Sequence, residues 1–146
     1  MVEKSVKVLF ICTGNSCRSQ IAEGLLRSMA EDQCKVFSAG SHPSRVNPMA
    51  IEIMKEVGID ISGHTSDPID DYLYLGIDVV ITVCDSAKEI CPIFPGEATH
   101  VHWSIDDPFQ GWTFEKSKLD SFRDTREIIK KKIEGFIQEN LLTIDT

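Results

Sequence analysis

The stretch that decides the fold is residues 6–30, VKVLFICTGNSCRSQIAEGLLRSMA. Residues 6–11 form a short apolar and β-branched run, which is typical of a strand buried inside a sheet. Residues 19–30 carry apolar side chains at helical spacing and predict an α-helix. The gap between them contains three turn formers in a row, Gly-Asn-Ser at residues 14–16. The sequence therefore predicts a strand, a tight loop and a helix that begins directly after the loop.

This loop places Cys12 six positions before Arg18, at the N-terminus of a helix. Backbone N–H groups converge at such a position and the helix dipole adds positive charge, so an oxyanion is held there and the thiolate of Cys12 is favoured. The alternative, a buried cysteine beside a surface arginine, does not explain the turn formers between them. We expect Cys12 to be a nucleophile and the oxyanion to be bound by Thr13, Gly14, Asn15, Ser16, Cys17, Arg18 and Ser19.

The bulk properties narrow the class of protein. A chain of 146 residues that is 42% hydrophobic predicts a single domain over residues 1–146. The net charge of −8 argues against nucleic-acid binding, and neither a signal peptide nor a membrane span is predicted. We expect a cytoplasmic protein in which the five cysteines are reduced thiols rather than a structural disulfide framework, with Cys17 and Cys34 structural or incidental.

The rest of the chain alternates strand and helix patterns. Strands are predicted at residues 34–39, 78–84 and 99–103, a helix capped by Asn47 with Pro48 at its first position is ended by Gly58, and a long helix covers residues 118–142. This alternation predicts an α/β fold of three layers, a central four-stranded parallel sheet flanked by helices on both faces.

Ligands of parallel sheets lie beyond the carboxyl ends of the strands. Cys12, Ser38, Cys84 and the pair Asp106-Asp107 all follow or end predicted strands. We therefore expect them to converge on one site, where Asp107 on its proline-stiffened loop protonates a leaving oxygen. The competing interpretation is an ordinary acidic turn, since Asp-Pro is common in turns.

Cys84 and Cys91 are seven positions apart. A regular helix would separate their α-carbons by ~10.5 Å, beyond the ~7 Å limit for a disulfide, so a bond requires the segment to unwind. They are interpreted as a switchable redox pair. The alternatives are two small buried apolar residues, or a zinc site with His100 and His102, whose spacing fits no common ligand pattern.

Several of these segments together resemble a known family. The Cys12 loop, the Asn47-Pro48 helix start, the Gly-Ile-Asp-Ile stretch at residues 58–61, the cysteine pair and residues 102–108 resemble a thioredoxin-coupled arsenate reductase of the low-molecular-weight tyrosine phosphatase fold. The resemblance covers most of the chain. The loop alone indicates only the fold, whereas the additional cysteine pair makes the resemblance specific.

The resemblance implies a mechanism for arsenical resistance with no required cofactor. In that family the residue matching Cys12 attacks arsenate, the one matching Cys84 attacks the resulting adduct to expel arsenite, and the one matching Cys91 takes over the disulfide, which thioredoxin reduces. When the second thiol attacks Cys12, arsenic(V) can accept two electrons and leave as arsenite. Phosphorus in a thiophosphate intermediate has no equivalent route. The cysteine pair has no use in a phosphatase.

The resemblance also implies a potassium ion beside the anion loop. The residues that match its ligands are Asn15, Glu23, Ser38, Thr65 and Asp67. Two positions depart from the pattern. Phe109 stands where the phosphatases present a tyrosine, and Asp85 stands where reductases often have glycine.

Two other functions stay open on the sequence. A low-molecular-weight tyrosine phosphatase would use Cys12, Arg18 and Asp107 in the same roles, and weak phosphatase activity is expected of the reductase too, because the loop is shared. A non-enzymatic module would bind an oxyanion or sense redox state through Cys84 and Cys91.

Overall fold

The computed structural model describes residues 5–85 and 91–141. Its strands are β1 (Val6–Cys12), β2 (Cys34–Gly40), β3 (Val79–Val83) and β4 (Thr99–Trp103), and its α-helices are α1 (Arg18–Ala30), α2 (Pro48–Lys55) and α3 (Leu119–Asn140). Two short 3₁₀ helices cover Ile69–Tyr72 and Lys116–Lys118. The strands form one parallel sheet in the order β2-β1-β3-β4, which confirms the predicted α/β architecture.

The two faces of the sheet are covered differently. Val8 and Phe10 point towards α1, α2 and α3, which share the larger apolar core. Leu9 and Ile11 point to the other face, where they pack with Phe94 and with residues of the 3₁₀ helix. Helical structure therefore flanks both faces, but in the described part of the chain the second layer is thin.

The start of α2 follows the prediction and its end does not. The side chain of Asn47 accepts a hydrogen bond from the Met49 N–H at 2.9 Å, and Pro48 is the first helical residue. The helix ends at Lys55, earlier than the predicted stop at Gly58. A turn follows in which the N–H of Ile59 bonds to the Met54 carbonyl, and Gly58 adopts the positive φ of +78° that this turn requires.

The ends of α3 and of β3 also differ from expectation. Residues 116–118 form a 3₁₀ turn, so α3 begins at Leu119 and ends at Asn140. Position 142, the predicted end, lies outside the described residues. The strand predicted over residues 78–84 is confirmed as β3, but it is shorter by one residue at each end, because Asp78 and Cys84 lie outside it.

Strand register brings the carboxyl ends together. Ile11 of β1 is level with Thr82 of β3, and Val83 is level with Trp103 of β4. The residues that follow these strands therefore emerge along one edge of the sheet. Within the described ranges, no helix is long and apolar enough to cross a membrane.

Candidate active site

A cavity of about 230 Å³ opens at the carboxyl edge of the sheet. Its floor is the loop between β1 and α1, and its rim comes from the segments after β2 and β4. The lining residues are Cys12, Thr13, Gly14, Ser16, Cys17, Arg18, Ser44, Asp107, Phe109 and Trp112. The predicted nucleophile, anion loop and acidic residue are thus brought to one place.

The Cys12 sulfur receives two hydrogen-bond contacts from its own loop. The Asn15 backbone N–H donates to Sγ at 3.2 Å, and Ser19 Oγ lies 3.0 Å from Sγ. The Asn15 side-chain amide donates to that same oxygen at 2.7 Å, which leaves the Ser19 hydroxyl proton free to point at the sulfur. Both contacts direct a hydrogen-bond donor of the loop at the sulfur atom of the predicted nucleophile.

Backbone hydrogen bonds to carbonyl groups of the anion loop anchor it to the segment after β2. The carbonyls of Thr13, Gly14 and Ser16 accept backbone hydrogen bonds from residues in the segment 42–47. In a trans peptide the C=O and the next N–H point in opposite directions, so this anchoring turns the following N–H groups away from the segment. The Asn15 N–H, which follows the Gly14 carbonyl, accordingly points at Cys12.

Close packing of β2 against the loop requires glycine at position 40. A Cβ atom on Gly40 would lie 2.6 Å from the Thr13 carbonyl oxygen and 2.9 Å from the Asn15 nitrogen. Both neighbours are backbone atoms, which cannot move aside without deforming the loop. Asn15 itself adopts a φ of +47°, which asparagine tolerates better than most residues.

Arg18 links the loop to the segment after β4. Its side chain is 2% exposed, and Nη1 donates to the Ile105 carbonyl at 3.0 Å while Nη2 lies 3.4 Å from Asp107 Oδ2. The other carboxylate oxygen of Asp107 accepts from the Phe109 N–H at 3.0 Å. Asp107 is therefore placed at the cavity with a cationic partner, as the convergence of strand ends predicted.

Asn47 connects the anion loop, α2 and the Asp107 segment. Its N–H donates to the Ser16 carbonyl at 3.0 Å, its Oδ1 caps α2, and its Nδ2 donates to the Gly111 carbonyl at 3.1 Å. The side chain is fully buried. The sequence predicted the cap but gave no signal for the two contacts to distant segments.

The wall of the cavity contains two aromatic residues that the sequence did not assign to it. Phe109 and Trp112 meet edge to face with ring centroids 5.0 Å apart, and the Arg45 guanidinium stacks 4.5 Å above the Trp112 ring. Trp112 lines the cavity together with Ser44. A long connection from β4 carries it there, and no local pattern encodes that contact.

Cys84 and Cys91 are joined by a disulfide with α-carbons 6.0 Å apart, inside the limit set above. Cys84 is fully buried at the carboxyl end of β3, beside the strand that ends in Cys12. Cys12 is a free thiol in this state. The structure thus shows the pair in its oxidised form and the nucleophile in its reduced form.

The two remaining described cysteines are poor redox groups. Burial raises the pKa of Cys17 to about 12, against a smaller opposing effect from the Ser16 hydrogen bond. Burial likewise raises the pKa of Cys34 to about 11. Both stay protonated near neutral pH, which agrees with their expected structural role.

The five residues matched to a potassium site form one connected polar network. Asn15 Nδ2 donates to Ser38 Oγ at 2.9 Å, and Ser38 donates to Glu23. The Asp67 N–H donates to Asn15 Oδ1 at 2.8 Å, and Thr65 donates to Asp67 Oδ2 at 2.9 Å. The network offers the oxygen atoms that an alkali cation prefers. Glu23 also forms an ion pair with Arg27.

His64 supports the loop through Gln20. Arg27 donates to His64 Nε2 at 2.9 Å, so the ring proton sits on Nδ1 and points to Gln20 Oε1 at 3.0 Å. Gln20 in turn donates to the carbonyls of Asn15 and Thr65. Burial lowers the pKa of His64, Glu23 opposes this, and Arg27 adds to it.

The lowered pKa of His64 predicts that the stability of the protein depends on pH. The unfolded chain binds a proton at His64 more readily than the folded one, so the stabilising effect is complete above the ordinary pKa of 6.5 and is lost as pH falls through the lower folded value. We expect the melting temperature of the wild type to fall more steeply below pH 6.5 than that of His64→Gln. Equal slopes in thermal melts of the two proteins would contradict this.

Such a site defines a class of enzyme that attacks a bound tetrahedral oxyanion with a cysteine held at a helix N-terminus. The chain belongs to the low molecular weight phosphotyrosine protein phosphatase family, whose model matches residues 7–143.

Within that family the chain is similar to arsenate reductases. It is 44% identical to the arsenate reductase of Halalkalibacterium halodurans, over 90% of this chain and 94% of that protein. A solved arsenate reductase in its phosphate-binding state superposes with a TM-score of 0.77 at 38% identity, covering 92% of this chain and 98% of that one. The thioredoxin-dependent arsenate reductase of Corynebacterium glutamicum superposes with a TM-score of 0.73 at 30% identity, covering 98% of this chain and 65% of that one.

Proposed function

We propose that this protein reduces arsenate to arsenite through Cys12, Cys84 and Cys91, with thioredoxin as the reductant. The observation that carries the proposal is the Cys84–Cys91 disulfide at the sheet edge that also bears the free Cys12. A phosphatase reaction does not use this disulfide. The similarity to arsenate reductases, one of them thioredoxin-dependent, supports the same conclusion.

The first step takes place on the anion loop. Arsenate binds between the loop N–H groups and Arg18, and the Cys12 thiolate attacks arsenic. Asp107, once protonated, gives its proton to the departing oxygen, which leaves as water. Its present partner Arg18 holds the carboxyl at the cavity.

The second step transfers the electrons. The Cys84 thiolate attacks Cys12 Sγ, the sulfur–arsenic bond breaks, and its electron pair stays on arsenic, which leaves as arsenite. Cys91 then attacks Cys84, forms the Cys84–Cys91 bond and releases Cys12 as a thiolate. The observed arrangement corresponds to the end of this cycle.

A dithiol reductant restores the starting state. Cys91 is the more accessible of the two bonded cysteines, and the exposed Ile93 follows it closely. Attack on Cys91 by thioredoxin would release Cys84 first, and the second thiol of the reductant would complete the exchange. We place the reaction in the cytoplasm, where thiols are kept reduced.

The test is a single turnover of fully reduced protein with arsenate under anaerobic conditions. We expect two thiols to be lost for each arsenite released, and peptide mapping to find the bond between Cys84 and Cys91. Intact thiols without arsenite would overturn the proposal and favour a phosphatase.

The aromatic wall supports a weak phosphatase activity on aryl phosphates. Phe109 and Trp112 line the cavity next to the anion loop and offer apolar surface to an aromatic ring. Phosphate would occupy the position of arsenate, and Cys12 would form a phosphoenzyme that water hydrolyses. Neither Cys84 nor Cys91 takes part in that reaction.

We also propose that the network around Asn15 and Glu23 binds potassium. Its hydroxyl, amide and carboxylate oxygens suit such an ion. A bound ion would stabilise the conformation of the anion loop through the side chain of Asn15. We expect the melting temperature to be higher in potassium chloride than in choline chloride of equal ionic strength. The same melting temperature in both salts would contradict potassium binding.

Replacement of Asn47 tests how the Asp107 segment is positioned. Asn47→Ser keeps a cap for α2, but its side chain is too short to reach the Gly111 carbonyl. Asn47→Ala loses both contacts, and the missing cap lowers the free energy of unfolding by about 1 kcal/mol more. We expect the serine variant to lose roughly tenfold in kcat with little change in KM, since one positioning hydrogen bond is removed. Steady-state kinetics and thermal melts of both variants measure this. An unchanged kcat in the serine variant would contradict the positioning role.

A further inference from the structure

A disulfide and a histidine that would bind thiophilic metals once the disulfide is reduced lie together after the carboxyl end of β3. One ring nitrogen of His102 and the sulfur atoms of Cys84 and Cys91 all lie within 4.8 Å of one another. His102 lies on β4, level with Thr82 of β3, two residues before Cys84. His100 lies on the same face of β4, two residues earlier, and is not part of the cluster.

We propose that the reduced Cys84–Cys91 pair, together with His102, binds a zinc ion. The zinc proposal rests on the proposed function in one respect: reduction of the Cys84–Cys91 disulfide to two thiols is a step of that reaction cycle. A dithiol reductant first supplies two electrons and two protons to the disulfide. Zinc then displaces the two thiol protons, and a water molecule completes a four-coordinate site.

The chemistry and geometry of the cluster suit this ion. Two thiolates and one imidazole are typical zinc ligands, and three protein ligands leave a fourth position open. Bonds of ~2.3 Å to sulfur and ~2.0 Å to nitrogen in a tetrahedron put the ligand atoms roughly 3.5 Å apart. Reduction frees the two sulfur atoms to separate to that distance, and His102 is already within reach. The ion would hold the two α-carbons near their present separation of 6.0 Å, well short of the ~10.5 Å of a regular helix.

Exposure and charge also favour binding at this place. Cys84 is buried, Cys91 is half-buried and His102 is exposed, so an ion can enter from the His102 side. The chain carries a net charge of −8, which attracts cations. An ion held there would occupy both relay thiols, so Cys84 could not attack the arsenic adduct on Cys12. Zinc would therefore arrest the reductase in its reduced form.

The experiment uses cobalt(II) as a spectroscopic probe for zinc. Fully reduced protein carrying Cys12→Ser, which removes the anion-loop nucleophile, is titrated with cobalt(II), and zinc is then added as a competitor. We expect a thiolate-to-cobalt charge-transfer band that zinc abolishes. The band should be absent in the oxidised protein and strongly reduced by Cys91→Ser.

The two histidines of β4 provide a matched pair. We expect His102→Ala to weaken cobalt binding about tenfold or more, because one of three protein ligands is lost, and His100→Ala to leave it unchanged. No band in the reduced protein, or equal effects of the two alanine variants, would overturn the proposal. Because no arsenate is present, the result is independent of the reductase test above.

Discussion

Cys84→Ser will bind arsenate and form the Cys12 adduct but will release almost no arsenite. Its thioredoxin-linked turnover should fall by roughly a thousandfold or more, as expected when a nucleophile is removed from an obligatory step. The serine hydroxyl cannot form the sulfur–sulfur bond that leaves the electron pair on arsenic. Rapid-quench measurement of arsenite in a single turnover, alongside coupled steady-state assays, gives the size of the loss.

Two controls separate this effect from a general loss of structure. Cys84→Ser should retain the wild-type rate of the proposed aryl phosphate hydrolysis, which would use only the anion loop and Asp107. Cys34→Ser replaces another buried thiol, whose sulfur donates to the Ala30 carbonyl, and should retain arsenate reduction. A Cys84→Ser protein that still cycles at the wild-type rate would show that the relay is not used.

Arg18→Lys will weaken arsenate reduction and, with it, the proposed aryl phosphate hydrolysis. The guanidinium reaches the Ile105 carbonyl and Asp107 at the same time, and its planar fork matches two oxygen atoms of a tetrahedral anion. A lysine keeps the charge but offers a single point contact. We expect kcat/KM to fall roughly a hundred- to a thousandfold for both reactions, comparable to the loss of an oxyanion-hole donor.

The matched control for that substitution lies on the surface. Arg123→Lys changes the same functional group at an ion pair with Glu56 that does not line the cavity, and should leave both activities unchanged. Thermal melts with and without phosphate would establish that the Arg18 variant is folded. If Arg18→Lys and Arg123→Lys had the same kinetic constants, the proposed role of Arg18 would be wrong.

The sequence sufficed for the parts of the site that are encoded locally. A β-branched run followed by turn formers and a helical pattern predicted β1, the Cys12 loop and α1, because each depends on neighbouring residues. The capping role of Asn47 was predictable for the same reason, since its side chain bonds two residues ahead. The meeting of Cys12 and Asp107 at one cavity followed from a general property of parallel sheets. Cys84 follows β3 at the same edge of the sheet but does not line that cavity.

The features that the sequence missed depend on long-range contacts. Nothing near Trp112 indicates that it lines the cavity with Phe109, because its placement depends on the connection that leaves β4. The bond from Asn47 to the Gly111 carbonyl spans 64 positions. The 3₁₀ helix at Ile69–Tyr72 has only four residues, which is too short a segment to show an apolar period in the sequence. His100 and His102 were equivalent by spacing, and the shape of the site distinguished them.

The pairing state of the cysteines has a consequence for a cell that lacks reductant. The Cys84–Cys91 bond coexists with a free Cys12 and an intact anion loop. On the proposed function, molecules in this state would still bind an oxyanion at the loop but would lack the reduced Cys84 that converts it. A population of oxidised protein would therefore act as a buffer that lowers the concentration of free arsenate, up to one ion per chain, until reducing power returns.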